Sequence, residues 1–307
     1  MEAKRYHIPV LLTEVLGTFR EIGKGTLIDG TLGGGGHAAA LLAHLPSITL
    51  LGLDKDLAAL NEASQALAPF GSRARLLQAG FETLPGVVKQ EGITDLMGVL
   101  LDLGISSRQI DDPARGFSFS HEGPLDMRFS GNTGESAEAL VNHASEERLT
   151  EIFRDYGEER RAAFVARAIV SARREKPIRT TGELARLVES AAGGHVKARA
   201  RAFQALRIAV NHELQALDTA LDTIPSLLCP GGRFAVIAYH SLEDRRVKQS
   251  FRARTGAVDR GRVRLPGDPE GEPAFCAVTK KAVISGEQEL RENPRSRSAK
   301  LRVLEKA

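Results

Sequence analysis

The sequence of 307 residues predicts an α/β fold, a mostly parallel, doubly wound sheet interrupted by an inserted all-helical domain. Three observations predict it. From Thr26 onward, short apolar runs alternate with longer helical patterns, as strands joined by crossover helices do. An acidic residue and a run of glycines separate the first strand from the first helix, the composition of a ligand-binding strand-to-helix turn. The rhythm then breaks after Asp102 and resumes only at Arg233, a gap of about 130 residues where one crossover helix needs about 30.

Taken in order, strands are expected at 26–29, 49–54, 75–78 and 97–102, with helices at 37–45 and 58–67 between them. A loop rich in Gly, Ser and Asp covers 105–134, followed by helical pattern at 145–156, 158–176, 183–190 and 199–221. Thr180 and Glu183 have the spacing of a capping box, and Pro177 fits a helix stop. After Pro230-Gly231-Gly232 a strand is expected at 233–239, then a final antiparallel pair at 276–280 and 301–304 flanking a charged loop. The expected domains are 1–107 with 214–307 for the sheet and 108–213 for the helical insert.

Composition narrows the function classes. With 42% hydrophobic, 26% charged and 5% aromatic residues the chain has enough apolar matter to fold, which excludes intrinsic disorder. Lys and Arg number 42 against 39 Asp and Glu, a net charge of +3, so a bulk polycation is excluded while a local basic face is not. Cys229 and Cys276 are too few for a disulfide framework or a four-cysteine zinc site, which fits a reducing cytoplasmic setting, and no metal is called for. No apolar run approaches the roughly 18 residues of a membrane span, and the N-terminus has no secretory pattern.

The strongest local signal is Leu27-Ile28-Asp29-Gly30-Thr31-Leu32-Gly33-Gly34-Gly35-Gly36-His37. Glycines let the backbone turn sharply and approach a ligand that a Cβ would exclude. Asp54, about twenty residues on at the end of the second strand, is placed to accept the hydroxyls of a ribose. A carboxylate at Asp29 suits the sulfonium and amino group of S-adenosylmethionine better than a pyrophosphate, and the G-x-G-x-x-G reading ends only on Ala38 or Ala39. Phe81, just past the third strand, is a candidate to stack on adenine or to fill the core.

These residues carry a resemblance. The chain resembles the bacterial 16S rRNA (cytosine N4)-methyltransferases of the RsmH/MraW type along nearly its full length. The matching segments are His7-Ile8-Pro9-Val10-Leu11-Leu12, Asp29-Gly30-Thr31 through Gly36-His37, Leu101-Asp102-Leu103-Gly104-Ile105-Ser106-Ser107 and Arg115-Gly116-Phe117-Ser118-Phe119. They continue in Gly123-Pro124-Leu125-Asp126-Met127-Arg128, Tyr156-Gly157-Glu158-Glu159, Phe203-Gln204-Ala205-Leu206-Arg207-Ile208, His240-Ser241-Leu242-Glu243-Asp244-Arg245 and Asn293-Pro294-Arg295-Ser296-Arg297-Ser298. Tyr239 stands where the family often has Phe.

The resemblance implies a Rossmann-like S-adenosylmethionine-dependent methyltransferase sheet interrupted by a helical substrate-recognition domain. It also implies methyl transfer to the exocyclic N4 amine of a cytosine at the decoding centre of the small ribosomal subunit, position 1402 in customary rRNA numbering. Cofactor contacts carry onto Gly34, Gly35, Gly36, His37, Asp54, Phe81, Asp102 and Gln109. The partner it implies is 16S rRNA in the small subunit.

Asp102, ending the fourth strand, is the candidate catalytic residue, as an acceptor for the amine and a stabiliser of the charge that develops on it; binding the cofactor alone is its other reading. His240 and Ser241, ending the fifth strand, are candidates to touch the RNA, although a structural histidine fits there as well. Basic residues cluster at Arg245, Arg246, Lys248, Arg252 and Arg254, at Arg260, Arg262 and Arg264, and at Arg295, Arg297, Lys300 and Arg302. A phosphate-facing surface and a solvated face both account for them, with Arg295 and Arg297 in the loop best suited to a backbone contact. Competing readings are a DNA or small-molecule methyltransferase, a nucleotide-dependent dehydrogenase and a noncatalytic RNA-binding protein.

Overall fold

The structure, a computed structural model, describes residues 9–131, 133–255 and 274–307. His7, Ile8, Arg260, Arg262 and Arg264 therefore lie outside the described residues. The chain divides into two compact units, 1–104 with 216–307, and 105–215.

The first unit is built on seven strands: β1 (Gly25–Asp29), β2 (Ile48–Asp54), β3 (Ala74–Gln78), β4 (Leu96–Asp102), β5 (Arg233–Ala238), β6 (Phe275–Ala277) and β7 (Lys300–Lys306). Their order is β3-β2-β1-β4-β5-β7-β6, parallel from β3 to β5 and antiparallel at β7 and β6. The pairing of β7 with β5 was not legible in the sequence, which predicted only the pairing of the last two strands.

Alternate residues of the central strands feed two apolar layers. Leu27, Leu50, Leu100, Ala235 and Ile237 pack on one face with α1 (Leu12–Phe19), α2 (Gly36–His44) and α3 (Leu57–Leu67). Ile28, Leu51, Val99, Leu101, Phe234 and Val236 pack on the other with α4 (Leu84–Gln90). Both faces are covered, so these strands read as continuous apolar runs rather than alternating ones.

The second unit holds helices α5 (Ser107–Asp111), α6 (Ala137–His143), α7 (Glu146–Asp155), α8 (Ala162–Glu175), α9 (Thr181–Ala191) and α10 (Lys197–Asn211). Among its described residues the only β-structure is one isolated bridge, Pro124 to Thr180. Its core runs from Phe117 to Leu206, with Phe117 and Phe129 stacked at 5.6 Å. The helix expected at 199–221 is two helices, because His212 takes a left-handed φ of 52° between α10 and α11 (Glu213–Leu227). Asn211 supplies the reason: its amide donates to the Met127 carbonyl at 2.7 Å and accepts from the Phe129 N–H at 2.8 Å. The helix expected from 158 starts at Ala162, since Glu158 is also left-handed at φ 48°.

The expected charged loop before the last strand contains α13 (Glu287–Glu292), and β5 leads into α12 (Ser241–Arg254). Among the described residues no helix is long and apolar enough to cross a membrane.

Candidate active site

Ligands of open α/β sheets bind beyond the C-terminal strand ends, where the strand order reverses. In this sheet β1 connects toward β2 on one side while its other neighbour is β4, so the reversal falls between β1 and β4. Asp29 ends β1, Asp54 ends β2 and Asp102 ends β4, which places three carboxylates along one edge.

The turn after β1 is shaped by close packing. A Cβ on Gly30 would lie 2.5 Å from Leu101 Cδ2 and 3.1 Å from the Phe81 Cβ, so a larger residue there would displace the Leu101 side chain. Gly35 is buried at φ 80° immediately before α2, while Gly34 and Gly36 are exposed. Asp54 grips this turn from the side: its Oδ2 accepts the Gly33 N–H at 2.9 Å and its Oδ1 accepts the Asp56 N–H at 2.8 Å.

Asp29 is 1% exposed and accepts the Thr31 N–H at 3.2 Å. Burial, reinforced by the Asp102 and Asp54 carboxylates, pushes its pKa up to about 7. Burial also raises the pKa of Asp54, against the pull of its backbone N–H donors.

Asp102 is held from several directions. Its N–H donates to Thr31 Oγ1 at 2.6 Å, and its Oδ1 accepts the Tyr239 hydroxyl at 2.7 Å. His37 Nδ1 stands 3.6 Å from its Oδ2. The other ring nitrogen, Nε2, lies 2.9 Å from the Val10 carbonyl, which can only accept, so Nε2 carries a proton.

Phe81 is half-buried against the apolar layer of Leu101 and Val99, beside Gly30. His240 precedes α12 with its Nε2 3.1 Å from Glu243 Oε1, while Ser241 is exposed. Glu243, 2% exposed, also accepts the Tyr239 N–H at 2.9 Å. Arg295 and Arg297 are exposed on the turn Pro294–Ser298. Because Lys300 pairs with Ala238 at the C-terminal end of β5, that turn lies at the same edge of the sheet as the carboxylates.

Gln109 belongs to the second unit, where it is buried and closes the cap of α5: its Oε1 accepts the Ser106 N–H at 3.0 Å and its N–H donates to Ser106 Oγ. Several cations expected to face phosphate instead meet carboxylates. Lys300 and Arg302 both bind Asp244, at 3.0 and 2.8 Å, Arg246 pairs with Asp218 and Arg254 with Asp222. Tyr239 and Thr31, which sequence reasoning did not single out for the site, are found only once β5 and β1 are seen on either side of β4.

A glycine turn, a carboxylate locked at the end of β2 and acidic residues at the β1–β4 reversal define a nucleoside-cofactor site on an open, doubly wound α/β sheet. The acidic edge and the glycine turn fit a cofactor that carries a cation and a ribose. The chain belongs to the MraW methylase family, whose model matches residues 4–307. It is 47% identical to the ribosomal RNA small subunit methyltransferase H of Methylobacterium sp. (strain 4-46), covering 98% of this chain and 90% of that protein. It is 46% identical to the proteins of the same name from Solidesulfovibrio magneticus, with 100% and 97% covered, and Geobacter sp. (strain M21), with 98% of each covered.

Proposed function

We propose that this chain transfers a methyl group from S-adenosylmethionine to the N4 amine of a cytosine in the 16S rRNA of the small ribosomal subunit, at the decoding centre and in the cytoplasm. The observation that carries the chemistry is the junction of Asp29, Asp102 and the Gly33–Gly36 turn at the strand-order reversal. The RNA substrate is supported by the relatives' shared name and by exposed Arg295 and Arg297 at the same edge.

In this reading Asp54 accepts the ribose hydroxyls, Gly34, Gly35 and Gly36 allow the close approach, and Phe81 stacks on the adenine. His37 completes the contacts assigned within the first unit. When bound, the cofactor supplies an electrophilic methyl group on a sulfonium.

The cytosine amine is a weak nucleophile because its lone pair is delocalised into the ring, so orientation contributes more than basicity. Asp102 accepts an N–H of that amine and turns the lone pair toward the methyl carbon. As the N–C bond forms and the methyl–sulfur bond breaks, S-adenosylhomocysteine would leave as the neutral thioether, and the Asp102 carboxylate stabilises the positive charge on nitrogen until its proton passes to solvent. His240 and Ser241 flank the target nucleotide, and the helical unit of 105–215 serves substrate recognition.

The test is incubation with labelled S-adenosylmethionine and small subunits lacking the modification, followed by nuclease digestion and mass spectrometry. Label on N4 of the decoding-centre cytosine is expected. Label on another base or on a ring carbon sinks the assignment.

A further inference from the structure

We propose that Tyr239 is a positioning residue for the methyl transfer, its hydroxyl holding the Asp102 carboxylate in the orientation that meets the acceptor amine. This rests on the methyltransferase reading of the site. Tyr239 is the first residue past β5, and β5 lies directly beside β4, so a side chain leaving that strand end reaches the end of its neighbour.

The hydroxyl donates to Asp102 Oδ1 at 2.7 Å. The ring is placed without help from that bond. Its backbone N–H is held by buried Glu243, and the half-buried ring packs against the apolar layer beneath α1 and α2. A phenylalanine would fill the same volume, so packing alone does not call for the hydroxyl.

Burial and the adjacent carboxylate hold the Tyr239 phenol far above its ordinary pKa, and it stays a donor at any working pH. One carboxylate oxygen is thereby tied to β5 while the other faces His37 Nδ1 at 3.6 Å. A carboxylate tied in this way loses rotation about its Cβ–Cγ bond, and a fixed acceptor stabilises developing charge without reorganising first.

The experiment compares the full-length chain with Tyr239→Phe, Asp102→Asn and the double variant, reading kcat and KM for S-adenosylmethionine. Tyr239→Phe is expected to lower kcat about tenfold, the worth of one hydrogen bond to a charged group, with KM changed less than about twofold. In the Asp102→Asn background the same change is expected to cost nothing more.

An equal loss in both backgrounds overturns the proposal, as does a loss confined to KM or melting temperature. A second reading needs no turnover. Sinefungin places an ammonium where the transferred methyl sits, so Tyr239→Phe is expected to weaken sinefungin about fivefold and leave S-adenosylhomocysteine unchanged. Equal affinities overturn the proposal. A wild-type chain that binds both ligands yet never methylates RNA sinks the RNA reading instead.

Discussion

Asp54 and Asp29 are two carboxylates of one edge with opposite tasks. Asp54 spends each oxygen on a backbone N–H, from Gly33 and from Asp56, and so shapes the turn it is assigned to share with the ribose. Asp54→Ala is expected to weaken S-adenosylhomocysteine by about tenfold to a hundredfold, the range for losing one hydrogen bond to a charged group; calorimetry showing unchanged affinity would remove the ribose role.

Asp29 binds a proton up to about pH 7 in the folded chain and only to about 4 when unfolded. Its folded pKa is raised, so its contribution is complete below the unfolded value and is lost as pH climbs through 7. Stability is expected to fall between about pH 4 and 7 with a slope approaching 1.4 kcal/mol per unit from this group. Urea titrations of Asp29→Asn across that range are expected to show a flatter profile than the wild type; parallel profiles would mean that Asp29 is ionised throughout.

Among the elements, α9 shows how far local spacing decides structure. Thr180 Oγ1 accepts the Glu183 N–H at 3.2 Å and the Glu183 carboxylate returns to the Thr180 N–H, completing the box that the sequence spells. Glu183 also takes the Arg179 N–H and the Lys176 ammonium, which together hold its pKa down to about 2. Thr180→Ala is expected to destabilise the chain by about 1 kcal/mol, measured by urea unfolding near neutral pH. Since the Glu183 pKa is lowered, its share of stability is present above the unfolded value and is lost as pH falls toward 2. The break between α10 and α11 had no such local signature. Nothing in Asn211-His212 announces a helix end until the Asn211 side chain is seen bridging Met127 and Phe129, more than 80 positions away.

At the scale of the whole molecule, the near balance of 42 cations and 39 anions conceals an uneven distribution. Asp244, Asp218 and Asp222 take up cations along α12 and β7, while Arg295 and Arg297 stand exposed on the Pro294–Ser298 turn beside the carboxylate edge. Replacing Arg295 and Arg297 together by Gln is expected to raise KM for small subunits severalfold and reduce the salt slope of binding by up to about 2, with KM for S-adenosylmethionine unchanged. An unaltered salt slope would place the RNA backbone elsewhere.

Strand positions, the glycine run and the capping box of α9 were legible because each depends on neighbours within one turn or one strand of the chain. Periodicity, backbone freedom and cap spacing are local physics. The partners of Asp102 and the company β7 keeps were not legible, because they join residues more than 60 positions apart. Sequence by itself determined that a carboxylate ends each of β1, β2 and β4. Only the tertiary structure decided that Tyr239 and His37 meet one of them, since side chains from separate strands and helices come together only when the sheet has closed its order.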